Sequence, residues 1–189
     1  MISQIKKISR FILTMLAVAT VWTSLYRLNM WGYKANHMPF ISWVFVPSGF
    51  KLFVSLILRF NSIPGLILGS LYLNHLYHPE LRVHDQVILS LISSVTGLVA
   101  CLIMEGILKK KLLSYVLSVQ EFISLSLIYA LSNSVIHIIF FNLHHDLISV
   151  RLIEPVKMFV GDFFGVAIFM AIINRMHYLY KKYRYNVSQ

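Results

Sequence analysis

The chain reads as long apolar runs separated by short polar connections, with almost no two-residue alternation. A helix crosses a bilayer core of about 30 Å with roughly 20 apolar residues, whereas a strand of a membrane barrel alternates with period two. Six runs have the helical character: approximately 11–30, 40–58, a short one at 63–77, 87–108, 116–141 and 155–174. No internal repeat or low-complexity linker divides them. The pattern predicts an all-α, polytopic membrane protein. Residues 1–189 form a single bundle of six transmembrane helices that ends in a basic-aromatic tail at 175–189.

Composition strengthens this reading. Of 189 residues, 58% are hydrophobic and 13% charged, and the mean hydropathy is +0.72. A soluble domain is roughly 45–50% apolar and about 25% charged, and one of this size cannot hide so much apolar surface in its own core. These values exclude a disordered or collagen-like chain and argue against an ordinary soluble enzyme. The single cysteine, Cys101, excludes a disulfide framework and a thiolate metal cage.

The net charge of +10 would point to nucleic acid in a soluble protein. Here it serves topology. With the N-terminus in the cytoplasm, eleven basic residues fall inside: Lys6, Lys7, Arg10, Arg59, Lys109, Lys110, Lys111, Arg175, Lys181, Lys182 and Arg184. Only four, Arg27, Lys34, Arg82 and Arg151, fall outside. The positive-inside rule then predicts N-in and C-in, with an even number of spans. Ala17-Val18-Ala19 resembles a signal-peptidase site, but the apolar stretch before it is short and the run continues to Leu25, so an uncleaved first helix is expected. The tail reads as an interfacial anchor of Tyr rings and cations on anionic lipid, not as a nucleic-acid strip.

Ionisable groups inside a membrane are costly and often mark function. Glu105 and Glu121 flank the Lys109–Lys111 loop and suit interfacial pairing. Lys51 and Asp162 lie deeper, about 16 and 10 Å from the outer surface at about 1.5 Å per residue, and an ion pair between them is geometrically possible. Asn133 and His137, four residues apart, share one face of the fifth helix at a similar depth. Pro47-Ser48-Gly49 breaks the second span, and the freed carbonyls need partners from protein or a wet cavity. Ser48 is expected to cap the restarted helix. Pro47, Ser48, Gly49, Lys51, Asn133, His137 and Asp162 therefore form the candidate ligand pocket, in the outer half of the membrane. The competing reading is a hydrogen-bonded network that only sets packing, since such bonds are worth about 0.6 kcal/mol on average.

Small residues mark helix contacts: Gly65 and Gly69, then Ser90, Ser94 and Gly97, then Gly161 and Gly165. They are expected to seat neighbours within one subunit, and also suit a homo-oligomer. Most histidines, namely His37, His75, His78, His84, His144 and His145, fall at the outer face, in spacings that fit no standard metal cage. No nucleophile elbow, phosphate loop or paired carboxylates occur, so no enzyme, metal or cofactor is expected.

Two stretches carry a family resemblance. Trp43-Val44-Phe45-Val46-Pro47-Ser48-Gly49, followed by Arg59-Phe60 and Pro64-Gly65-Leu66-Ile67-Leu68-Gly69-Ser70, is similar to the W-x-P-x-G region of MASE-type membrane-associated sensor domains. Gly161-Asp162-Phe163-Phe164-Gly165-Val166 resembles the G-D-x-x-G-V/A motif of that family. The resemblance implies a bacterial integral-membrane input module. The chain departs from the family in having six predicted spans rather than about eight, Arg59-Phe60-Asn61 in place of a glycine in the short inner turn, and only about fifteen residues after Asn174.

The leading expectation is a stand-alone, sensor-like protein of the bacterial inner membrane. It would bind a small ligand or proton in the outer-half pocket and signal to a cytoplasmic or membrane protein partner, with the lipid bilayer as solvent and no role for nucleic acid. Two alternatives remain at this point: a small substrate-binding subunit of a membrane transporter, and a structural or assembly subunit of a membrane complex.

Overall fold

The computed structural model describes residues 2–32, 43–112, 117–143 and 153–187. Among them the chain forms six α-helices and one 3₁₀ turn: α1 (Ile2–Gly32), α2 (Pro47–Leu58), the turn Arg59–Ser62, α3 (Ile63–Tyr77), α4 (Val83–Leu108), α5 (Val119–Leu143) and α6 (Ile153–Val187). Five helical segments are long and apolar enough to cross a membrane: Gln4–Gly32, Pro47–Tyr77, Val83–Leu108, Val119–Leu143 and Ile153–Tyr180. This is the character of a multi-pass membrane protein.

The helix limits depart from the apolar runs for physical reasons. α1 starts at Ile2 rather than near residue 11, because Gln4, Lys6, Lys7 and Arg10 are compatible with a helix wherever its polar turns leave the apolar layer. Similarly, α6 runs unbroken to Val187, so residues 175–187 continue the helix instead of forming a separate tail. The second run is shortened in the opposite sense. α2 begins at Pro47 rather than Phe40, with Trp43–Val46 non-helical, since proline tolerates only the first turn of a helix.

The Pro47–Tyr77 segment folds back on itself at Arg59–Ser62. Its two limbs have 12 and 15 residues. On α4, Ser93 meets Lys51, Gly97 meets Ser55 and Glu105 meets Arg59, so α2 runs alongside α4 in the same direction. Asn74 of α3 instead binds Ser90 and the Gln86 carbonyl, so α3 runs the other way. α1, α3 and α5 thus point in one direction and α2, α4 and α6 in the other.

α2 is the shortest helix and the most central. It packs against α1, α4 and α6, and eight of its residues are buried. One core gathers Val18, Trp22, Phe50, Leu66 and Phe169, and another gathers Leu52, Cys101, Met104, Leu125 and Val166. Close approach depends on glycine. A Cβ on Gly65 would lie 2.7 Å from the Met15 carbonyl oxygen, and one on Gly69 would lie 2.7 Å from Trp22 Cδ1, both at the α1–α3 contact.

The turn after α2 requires φ +54° and ψ −130° at Arg59, a region where a side chain is strained and glycine is at ease. Arg59 is held there by Glu105, 2.5 Å away, whose other carboxylate oxygen accepts the Leu112 N–H at 2.8 Å. Both Arg59→Gly and Arg59→Ala lose the ion pair, but only the glycine variant relieves the backbone. Thermal unfolding of the purified variants is expected to place Arg59→Gly above Arg59→Ala by about 1–2 kcal/mol.

Candidate functional site

The site begins with the break before α2. Backbone groups that leave a helix inside an apolar layer must find partners in protein, and here α1 and α6 supply them. The Phe45 N–H donates to the Gly161 carbonyl at 2.9 Å, and the Val46 N–H donates to Asn29 Oδ1 at 3.2 Å. Ser48 Oγ lies 2.7 Å from the Phe45 carbonyl oxygen and 3.0 Å from that of Asp162. The single Ser48 hydroxyl proton is thus shared between the Phe45 carbonyl and that of Asp162 within α6 rather than Ser48 capping α2 through its own oxygen, and no side chain caps that helix. A Cβ on Gly165 would collide with the Phe45 carbonyl, and one on Gly49 with Phe169. The two stretches that carry the sensor-domain resemblance thus lie against each other.

This docking sets α2 and α6 side by side and leaves a cavity of about 70 Å³ beside them, lined chiefly by Trp22, Lys51, Ser93, Asn133, His137 and Asp162. Tyr26, Phe45 and Phe141 give it aromatic walls, with Ser70 and Asn74 on the α3 side. By the scale on which one water needs roughly 10–15 Å³, the cavity holds several waters or a small solute. Its lining comes from the later halves of α1, α3 and α5 and the earlier halves of α2, α4 and α6. The cavity therefore lies toward the end of the bundle that carries the α3–α4 connection, away from Arg59 and Glu105.

Lys51 and Asp162 are 4% and 2% exposed, so both are buried in the bundle. The ion pair that the sequence made possible does not form between them. Lys51 Nζ instead donates to Ser93 Oγ and sits 4.3 Å from the centroid of the Trp22 ring, a cation–π arrangement. Asp162 Oδ2 accepts from Asn133 Nδ2 at 2.6 Å, and Asn133 Oδ1 accepts from Thr96 at 3.1 Å. His137 Nδ1 lies 2.8 Å from the Asn133 carbonyl oxygen, which can only accept, so the ring nitrogen donates. Each charge thus has its own protein partner, and the side chains that hold them apart come from α1, α4 and α5.

Of the residues singled out from sequence, Lys51, Asn133, His137 and Asp162 come together on this cavity. Pro47 and Ser48 are not in its wall; they build the α2–α6 contact behind it, and Gly49 lines a separate apolar groove. Trp22 and Asn74 were missed, and Ser93 was read from sequence only as part of the small-residue packing stripe of α4. Ser93 lies on the polar stripe of α4, one turn from Gly97, and its spacing was the available signal. The packing residues sit within the chain: Ser90 Oγ donates to the Gln86 carbonyl, Ser94 Oγ to the Ser90 carbonyl, and Gly97 faces Ser55.

Among the described residues no three His, Cys, Asp or Glu side chains group as a metal site. His78 is buried and meets Glu80 at 3.2 Å. Burial pushes its pKa down, against the upward pull of Glu80. His37, His144 and His145 lie outside the described residues. No family model, curated protein or solved structure matches the chain.

Glycine substitutions test the docking of α2 on α6. Gly106 of α4 has nothing within 4 Å of a built Cβ, so Gly106→Ala is expected to stabilise by about 0.5–1 kcal/mol. Gly165→Ala must displace the Phe45 backbone and is expected to lower the unfolding temperature sharply. Equal behaviour of the two variants in thermal unfolding would remove the argument for close docking.

Proposed function

We propose that the chain is a sensor-like protein of the bacterial inner membrane. Its six crossings place both termini in the cytoplasm. It binds a small ligand or a proton in the cavity of Lys51 and Asp162 and passes the change to a protein partner. The observation that carries this reading is the pair of buried ionisable side chains, one basic and one acidic, that share a cavity without touching. Placing each ion in an apolar medium costs several kcal/mol, and a packing network alone gives no reason to keep two of them apart around a space.

The antiparallel course of α2 and α3 supports six crossings, with Arg59 and the Lys109–Lys111 loop on the cytoplasmic side. The cavity then faces the outer half of the membrane. Its output runs through α6, where Asp162 and the exposed Tyr178, Tyr180 and Tyr183 lie on one unbroken helix. From Asp162 to Val187 is about 38 Å at 1.5 Å per residue. A rotation or shift of α6 at the cavity therefore reaches the cytoplasmic face without a hinge. The likeness of the docked segments to MASE-type sensor motifs agrees with this role.

Two measurements test the reading. In a Cys101→Ser background, single cysteines at Ser9 and Ser188 should be modified only after the cell is permeabilised, and one at Glu80 should be modified from outside. Labelling of Ser9→Cys and Ser188→Cys from opposite sides rejects six crossings. Native mass spectrometry of the full chain should show a small-molecule adduct that Lys51→Met and Asp162→Asn lose while they keep the partner. An adduct unaffected by both substitutions rejects the cavity as the ligand site.

A further inference from the structure

We propose that the cavity takes a small zwitterion, an amino acid with its amino and carboxylate groups one to three carbons apart. The carboxylate lies toward Lys51 and the ammonium toward Asp162. The inference rests on the cavity being a ligand site, and it adds the chemical class of the ligand.

The unused hydrogen-bonding capacity of the wall divides by type. On the Lys51 side there is a surplus of donors. An ammonium has three N–H groups, and Lys51 gives one to Ser93. Trp22 Nε1, on the ring that Lys51 overlies, has no partner among the described residues, and neither has Ser70 Oγ, a hydroxyl able to donate or accept; both residues are buried and line the cavity. Buried polar groups are nearly always satisfied, so orphaned ones beside a cavity point to an absent partner. A carboxylate, with about four lone-pair positions, accepts from all of them.

The Asp162 side has a surplus of acceptors. Its Oδ2 accepts one bond from Asn133, which leaves most of the carboxylate's capacity unused. Asn133 itself spends Nδ2 on that bond and Oδ1 on Thr96, so the acceptor left open on this side is the carboxylate. An ammonium supplies the missing donors. A simple carboxylate would satisfy the Lys51 side but face Asp162, and a simple amine would do the reverse. Only a ligand carrying both charges answers each wall. Size sets the remaining limit: 70 Å³ accommodates about five to seven water-sized groups, the range from glycine through β-alanine to 4-aminobutanoate.

Trp22 provides the readout. The chain has three tryptophans, and Trp31→Phe with Trp43→Phe leaves Trp22 alone under the Lys51 ammonium. The full chain in lipid nanodiscs is titrated with glycine, β-alanine, 4-aminobutanoate, acetate and methylammonium. At least one of the three amino acids is expected to change Trp22 emission saturably, with acetate and methylammonium at least tenfold weaker. Lys51→Met and Asp162→Asn should each weaken that response tenfold or more. Ser70→Ala, a milder change that guards against misfolding, should weaken it severalfold. Acetate binding as well as the amino acids, and indifferent to Asp162→Asn, overturns the zwitterion and leaves an anion site. Methylammonium binding that is indifferent to Lys51→Met overturns it in favour of a cation site. Silence from all five probes also overturns it. The broader reading of the cavity falls only if the native-mass adduct is also absent or is unaffected by Lys51→Met and Asp162→Asn.

Discussion

The structure depends on where the chain puts four residues of non-helical backbone. Trp43–Val46 enter the bundle before α2 begins, and lipid offers them no hydrogen bonds. Their groups are taken up by Gly161, Asn29 and Ser48, the last itself bonded to the Asp162 carbonyl. Such bonding requires the backbone of α6 at close range, so Gly165 has to be glycine. Once α2 is docked there, its next turn is committed. Lys51 follows Ser48 by three residues, almost one helical turn, and so falls in the centre of the bundle between α1 and α4.

That placement sets the electrostatics. Lys51 is buried in the bundle, and its cost is met by Ser93 and the face of Trp22 instead of a carboxylate. Asp162, on the neighbouring helix, is met by Asn133. A direct pair would have neutralised both and closed the space between them. Separate partners on α1, α4 and α5 keep the charges apart, and the cavity persists because neither charge gains by abandoning its own partner alone.

Much of this was legible from the residues. The apolar runs gave the helical class, and the scarcity of charge within them singled out Lys51 and Asp162, with Asn133 and His137 brought in by their four-residue spacing. The docking partners were less visible. Nothing in the local pattern says that Asn29 accepts the Val46 N–H, because that bond joins residues 17 apart across two elements. Trp22 was hidden for a related reason. An apolar run identifies a tryptophan only as lipid-compatible, and its position under Lys51 follows from the α1–α3 and α2 packing. The triplet Pro47-Ser48-Gly49 was correctly read as a break but misplaced as cavity wall, since a helix start has two faces and the sequence does not say which one meets α6. The turn after α2 does without a glycine because Glu105 holds Arg59 in a conformation that glycine would adopt freely.

The same contacts decide which parts of the bundle can move together. α2 and α6 share backbone-level bonds and glycine contacts, so they behave as one body near the cavity. α5 meets α6 there through Asn133 and Asp162, a single side-chain bond, and α4 meets α2 through Ser93 and Lys51. Both of these bonds end on the charges that line the cavity. A competitor for Lys51 or Asp162 would therefore act on these two bonds and not on the docking of α2 on α6, while Gly97–Ser55 and Arg59–Glu105 still hold α2 to α4 farther along. α6, part of that docked pair, continues unbroken to Val187.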